Sequence, residues 1–160
     1  MSNELNSGTD SSGTAPQINV LGQYIKDLSF ENPSAPQSLR APGKNPNIQI
    51  NFNVGAQTIG DDLYEVELRM EAHAKSDDGV LYNLELVYAG GFQLKNLPKE
   101  AIQPILFIEC PALLFPYVRR LVSDMSREGG FPPLLIDPID FASLFRQRMT
   151  QAQGAPAVTQ

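Results

Sequence analysis

The chain has no Trp, one Cys and one His among its 160 residues. A single Cys excludes an internal disulfide framework and fits a reducing compartment. A single His, His73, excludes a two-His metal site and an HExxH motif. Positive charge is in the minority, with 12 Lys and Arg against 18 Asp and Glu and a net charge of −6. That balance argues against a non-specific nucleic-acid binder, which needs a basic surface, and suits basic partners instead. The first residues, MSNELNSGTDSSGTAPQ, lack a basic stretch followed by an apolar one, so no secretory leader is expected. No unbroken apolar run reaches the roughly 18–20 residues of a membrane helix. The longest candidate, around Ile102 to Leu114, is interrupted by Pro104, Glu109 and Pro111. A soluble cytoplasmic protein without direct membrane insertion is the expectation.

What is present fits one globular domain. Hydrophobic residues make up 42% and charged residues 19%, ordinary for a globular protein. Residues 1–17 are Ser, Gly, Thr and Asn and 149–160 are Gln, Ala, Gly and Pro; neither buries enough apolar area to offset ordering. They read as flexible tails around a single domain at 18–148.

From Tyr24 to Phe92 the hydrophobic period is two, the signature of half-buried strands. In the first strand Tyr24, Leu28 and Phe30 share a face, with Asp27, Ser29 and Glu31 opposite. In the second, Ile48, Ile50, Phe52 and Val54 alternate with polar residues until Gly55. The third carries Tyr64, Val66, Leu68, Met70 and Ala72 against Glu65, Glu67, Arg69 and Glu71. Asp78-Gly79 signals a hairpin. The fourth carries Tyr82, Leu84, Leu86 and Tyr88, and Gly90-Gly91 is expected at its bulged or frayed end. One sheet face is therefore apolar, while the other gathers Asp27, Glu31, Glu65, Glu67, Glu71 and Glu85. Like charges crowded across strands cost stability, so such a face has either a solvated or a docking role.

Phe107 to Phe145 supplies the cover for the apolar face. A short helix is expected over Pro98–Phe107, and a second opening at Cys110-Pro111, with Leu114, Val118, Leu121, Val122 and Met125 on one side. Gly129-Gly130 ends it, the prolines from Phe131 to Pro138 preclude helix, and Asp140 caps a last helix bearing Phe141, Leu144 and Phe145. The fold class is α+β: a four-stranded antiparallel sheet with C-terminal helices on one face.

The chemistry expected of an enzyme is nearly absent. His73 falls on the polar sheet face and Cys110 at an apolar helix start, half-buried, which disfavours a catalytic pair. A helix start lowers a thiol pKa, so a Cys-dependent enzyme or small-ligand binder stays as a remote alternative. Gly90-Gly91 lacks the Lys of a phosphate loop, and Arg119-Arg120 is too short to track a nucleic acid. No cofactor or metal is implied. What remains is more apolar surface than so small a domain easily buries, for which oligomerisation and an apolar groove are both outlets.

The segment CPALLFPYVRRLVSDMSREGGFPPLLIDPIDFASLF closely resembles the C-terminal hallmark of the protein-export chaperone SecB family. YIKDLSFENPSAP and DDLYEVELRMEAHA resemble that family's first and third strands, and the likeness covers roughly Ile18 to Arg148. The resemblance implies an ATP-independent cytoplasmic chaperone that holds unfolded precursors and delivers them to the SecA motor ATPase. It implies a homotetramer, a dimer of dimers. Asp27, Glu31 and Glu85 match the family's SecA-docking positions. Phe30, Tyr82, Phe131, Phe141 and Phe145 match its client groove, with Tyr82 adding a hydroxyl where the family has Phe. A SecB-like chaperone dedicated to one client, such as an antitoxin, is the alternative within the same fold.

Overall fold

The alternating runs pair as strands, and each extends beyond its most regular stretch. The computed structural model describes residues 15–41 and 43–154. Its strands are β1 (Gln17–Glu31), β2 (Asn47–Gly60), β3 (Leu63–Ser76) and β4 (Gly79–Lys95). They form one antiparallel sheet in the order β1-β4-β3-β2. β2, β3 and β4 follow one another through hairpins, and β1 reaches β2 by a longer connection, the Greek-key arrangement. That connection contains the one-turn helix α1 (Gln37–Arg40).

Neither expected glycine boundary ends its strand. β2 continues through Gly55 to Gly60, and the hairpin comes at Asp61-Asp62, where Asp62 takes φ 57°. β4 continues through Gly90-Gly91 to Lys95, pairing Gly90 with both Gln23 and Val66. A Cβ on Gly90 would lie 2.9 Å from Phe92 and 3.0 Å from Leu114. The glycine marks a place where a helix side chain presses onto the strand, which is the second use of glycine inside a sheet.

The largest departure concerns the helices. α2 (Lys99–Pro104), a π-helical turn (Ile105–Glu109) and α3 (Cys110–Glu128) follow one another without a break. The sequence had promised two helices separated near Cys110. Pro111 cannot donate to the carbonyl four residues back, that of Phe107, and its ring crowds that position. The widened turn sits there and absorbs the proline instead of ending the helix. The resulting 30-residue run, Lys99–Glu128, is by length and composition alone long and apolar enough to cross a membrane, contrary to the sequence expectation. Its inward side chains Leu106, Phe107, Cys110, Leu114, Val118 and Val122 are all buried. They meet Val66, Leu68, Met70, Leu84, Leu86 and Phe92 from the sheet in one core cluster.

α3 ends as expected. Gly130 takes φ 89°, and the Gly129 N–H donates to the Met125 carbonyl at 2.9 Å. The connector that follows is irregular up to Asp140. The Asp140 carboxylate accepts the Ser143 N–H at 3.1 Å and opens α4 (Phe141–Gly154). This helix runs past residue 148, so the helical part extends into the stretch expected to be a flexible tail. β1 likewise begins at Gln17. Residues 1–14 and 155–160 of the two expected tails lie outside the described residues.

Candidate functional site

Three aromatic rings meet at one end of the helix-covered face. Phe30 stands on β1 opposite Leu84, and Tyr82 on β4 opposite Ala74. Phe131 follows the Gly129-Gly130 pair that ends α3. Phe30 stacks on Tyr82 with centroids 5.5 Å apart, and Tyr82 meets Phe131 at 4.8 Å. Two neighbours set the position of Phe30. The Asn32 side-chain amide donates to the Gly129 carbonyl at 2.9 Å. Gly129 itself leaves room for the ring, since a Cβ there would lie 2.3 Å from Phe30 Cζ.

Beside these rings is a hollow of about 510 Å³. Leu39 and Pro46 come to it from the β1–β2 connection, Ile48 and Leu81 from the sheet, and Phe131 and Leu134 from the connector. Tyr82 is only 2% exposed, and burial raises its phenol pKa above the ordinary value. Such a site offers apolar area with few polar groups to select particular side chains.

The other two predicted groove residues lie elsewhere. Phe141 is 4% exposed and packs edge-on against Phe115, which meets Phe52 in the same way. It belongs to the core. Phe145 stacks on Phe107 at 5.9 Å and borders a second hollow of about 360 Å³ with Phe52, Leu144 and Arg148. The Arg148 guanidinium stands 4.4 Å above the Phe107 ring and donates to the Val54 carbonyl at 2.8 Å. The five aromatics therefore divide along β2: Ile48 lines the first hollow and Phe52 to Gly55 the second. Leu39, Ile48, Leu81 and Phe107 were missed as lining residues. Ile48 was legible from its place on the apolar side of an alternating run. Leu39 sits among prolines and glycine, where periodicity carries no signal.

The opposite sheet face carries the acids. Glu85 lies between Ser29 of β1 and Glu71 of β3, Glu31 lies opposite Asn83, and Asp27 opposite Val87. Asp27, Glu31 and Glu85 are exposed. Glu65 and Glu67 differ from them. Lys26 bonds Glu65 at 2.7 Å and also reaches Glu67. Tyr24 Oη donates to Glu65 as well, and Gln57 donates to it at 2.8 Å. Tyr24 thus stands on the acidic face, not with Leu28 and Phe30 as alternation implied. A bulge between Ile25 and Asp27 inserts Lys26 and inverts the parity of the residues before it, back to a second bulge between Val20 and Gly22.

The Lys26 ammonium, then the Tyr24 hydroxyl, hold the Glu65 carboxyl down at about 2 from an ordinary 4.5. A depressed carboxyl pKa adds stability that is fully present above the unfolded value and is lost as pH falls through the folded one. Glu65→Gln is therefore expected to flatten the acid limb of a thermal-stability profile between about pH 4.5 and pH 2. An unchanged limb in that window would count against this network as its source.

The expected half-buried thiol is corrected. Cys110 is fully buried, and desolvation, with a smaller effect of Glu109, pushes its thiol up to about 12. It packs on the helix side of the sheet, whereas His73 is on the acidic side with Nδ1 2.8 Å from Asn83 Oδ1. The two do not form a nucleophile–base pair. Among the described residues no cluster of three or more His, Cys, Asp or Glu could hold a metal ion.

Comparison with known proteins adds the missing context. Residues 11–152 match the family model described as preprotein translocase subunit SecB. The chain belongs to the SecB family. A protein-export protein SecB of Bartonella bacilliformis is 55% identical over 138 residues, covering 86% of this chain and 87% of that protein. The SecB of Mesorhizobium japonicum is 50% identical, covering 94% and 90%. With such identity over most of the length, the role is that of a SecB export chaperone, and the SecB family is not a catalytic one. Among solved structures, a SecB-like chaperone of Mycobacterium tuberculosis, in complex with a peptide of the HigA1 antitoxin, superposes with a TM-score of 0.61. It is 13% identical and covers 76% of this chain and 90% of that one. At that identity the likeness is one of fold.

Proposed function

We propose that this SecB-family chain holds unfolded precursors along the two hollows that flank β2 and presents its acidic face to SecA. Phe30, Tyr82 and Phe131 form the first contact region, Phe145 belongs to the second, and Phe141 packs in the core against Phe115. Asp27, Glu31 and Glu85 make the docking set, because Lys26 is already paired with Glu65 and Glu67. The chain works in the cytoplasm, catalyses no reaction and hydrolyses no nucleotide, which falls to SecA. The observation that carries the reading is the pairing of an apolar, ring-lined hollow with acids on opposite sides of one sheet. Each apolar client side chain buried there is worth about 1.5–3 kcal/mol without regard to its sequence.

Assembly as a dimer of dimers fits the uncovered apolar side chains. Ile18, Val20 and Ile25 of β1 and Leu113 and Tyr117 of α3 are 40% to 50% exposed, far more than the core they adjoin. A second copy would take them from water. An antitoxin-specific role finds support in the mycobacterial fold neighbour with its bound antitoxin peptide. Identity of 55% to an export SecB favours the general role.

Native mass spectrometry with a denatured precursor tests this. The expected result is four copies of the 17.6-kDa chain that retain the unfolded precursor and ignore its folded form. A monomer that passes over unfolded chain would overturn it.

A further inference from the structure

Ser126 is fully buried near the end of α3, in a helix whose other buried positions are nearly all apolar. A buried hydroxyl in a helix ordinarily bonds back to a carbonyl one turn earlier and has no further role. This one has a second partner. Its Oγ lies 2.9 Å from the Val122 carbonyl and 3.0 Å from that of Ser123, either of which accepts its proton. The same oxygen accepts the Leu134 N–H at 2.8 Å. The Ser126 main-chain carbonyl accepts the Phe131 N–H at 3.1 Å.

The composition of the connector makes this pairing decisive. Pro132 and Pro133 have no N–H to give. Phe131 and Leu134 are therefore the only amide donors in the four residues 131–134, and both end on Ser126. Those four residues line the wall of the larger hollow. Substitution at 126 leaves the Phe131 bond, which uses the backbone, but it can remove the Leu134 bond. Leu134 is 8% exposed, so its amide would then be buried without an acceptor, an arrangement that favours opening of the segment.

We infer that Ser126 is a positioning residue for client binding: its hydroxyl holds the Phe131–Leu134 wall against the sheet and so keeps the larger hollow in shape. This rests on the proposed client groove, and the test separates the two. Ser126→Thr and Ser126→Val have the same shape and differ only in the hydroxyl, so any packing cost of the added methyl is common to both. Two quantities are measured in the full chain: hydrogen exchange at the Leu134 amide, and affinity for a denatured precursor.

Ser126→Thr is expected to match the parent in exchange and to stay within about 3-fold of it in affinity. Ser126→Val is expected to speed Leu134 exchange at least 10-fold and to weaken the precursor about 10-fold, with SecA binding unchanged. Ser126→Ala, which adds no methyl, should repeat the Val result and serves where Val prevents folding. Phe131→Ala is the control for the groove. If Phe131→Ala weakens the precursor while Val and Thr variants agree in both measurements, the role of Ser126 is overturned and the groove stands. If Phe131→Ala leaves precursor affinity intact, the groove reading falls, and with it this role.

Discussion

Replacing Asp27, Glu31 and Glu85 together by alanine is expected to weaken SecA binding about 100-fold and to leave client holding intact. The three carboxylates are exposed, so each charge pair with a basic partner is worth ~0.2–1 kcal/mol. Three near the upper end sum to about 3 kcal/mol, roughly two decades of affinity. Most of the loss should appear in the association rate and shrink with added salt, because exposed charges act at long range and are screened. Unfolding is not a competing explanation. Glu85 faces Glu71 directly across β3 and β4, and removing one of two like charges relieves repulsion. The triple variant should therefore melt no lower than the parent. Titration of SecA against parent and variant at two salt concentrations checks this. Equal loss of SecA and client binding would contradict separate surfaces.

Gly129→Ala is expected to produce the opposite separation. Gly129 has φ −73° and ψ −4°, ordinary for any residue, so the effect is purely steric. The new Cβ would sit 2.3 Å from Phe30 Cζ and 2.5 Å from Cε1, and the ring must leave. Overpacking of this kind costs about 1–3 kcal/mol, and the lost stack on Tyr82 adds ~0.5–1.5 kcal/mol. The melting temperature should fall by about 5 °C or more. Client affinity should fall about 10-fold, while SecA binding persists. Phe30→Leu in the same chain relieves the collision, so it should recover most of the melting temperature without recovering client affinity. If the double variant regained both, Phe30 would have only a packing role.

How far the sequence could be read depended on what each feature leaves in the pattern. The apolar faces of β2, β3 and β4 were legible because Ile48 to Val54, Tyr64 to Ala72 and Tyr82 to Leu86 alternate without interruption. The acidic side followed from the same alternation. The bulge at Lys26 was not legible: an inserted residue leaves no compositional mark and shows only when a partner strand supplies the register. That one residue placed Tyr24 on the wrong face and hid the ion pairs that remove Glu65 and Glu67 from the free acids. Pro111 looked like a boundary because a proline starts a helix and is tolerated inside one by the same missing N–H; only tertiary packing distinguishes the cases. For the candidate site, the ring cluster of Phe30, Tyr82 and Phe131 came from resemblance. The division that sends Phe145 to another hollow and Phe141 into the core depends on how α4 packs against the π-helical turn, which no local pattern encodes.

Successive side chains of a strand leave on opposite sides of the sheet. Phe30, on the ring cluster, is followed by Glu31 on the acidic face, and Tyr82 by Asn83, which stands opposite Glu31. Cargo and motor would thus grip the same two strands one peptide apart, about 3.4 Å along the chain. A partner pulling on Glu31 would act on the residue next to Phe30, with no relay of intervening residues. On the proposed reading, handover would be a matter of leverage across a wall one sheet thick, and no fuel spent by the chaperone itself would be required for it.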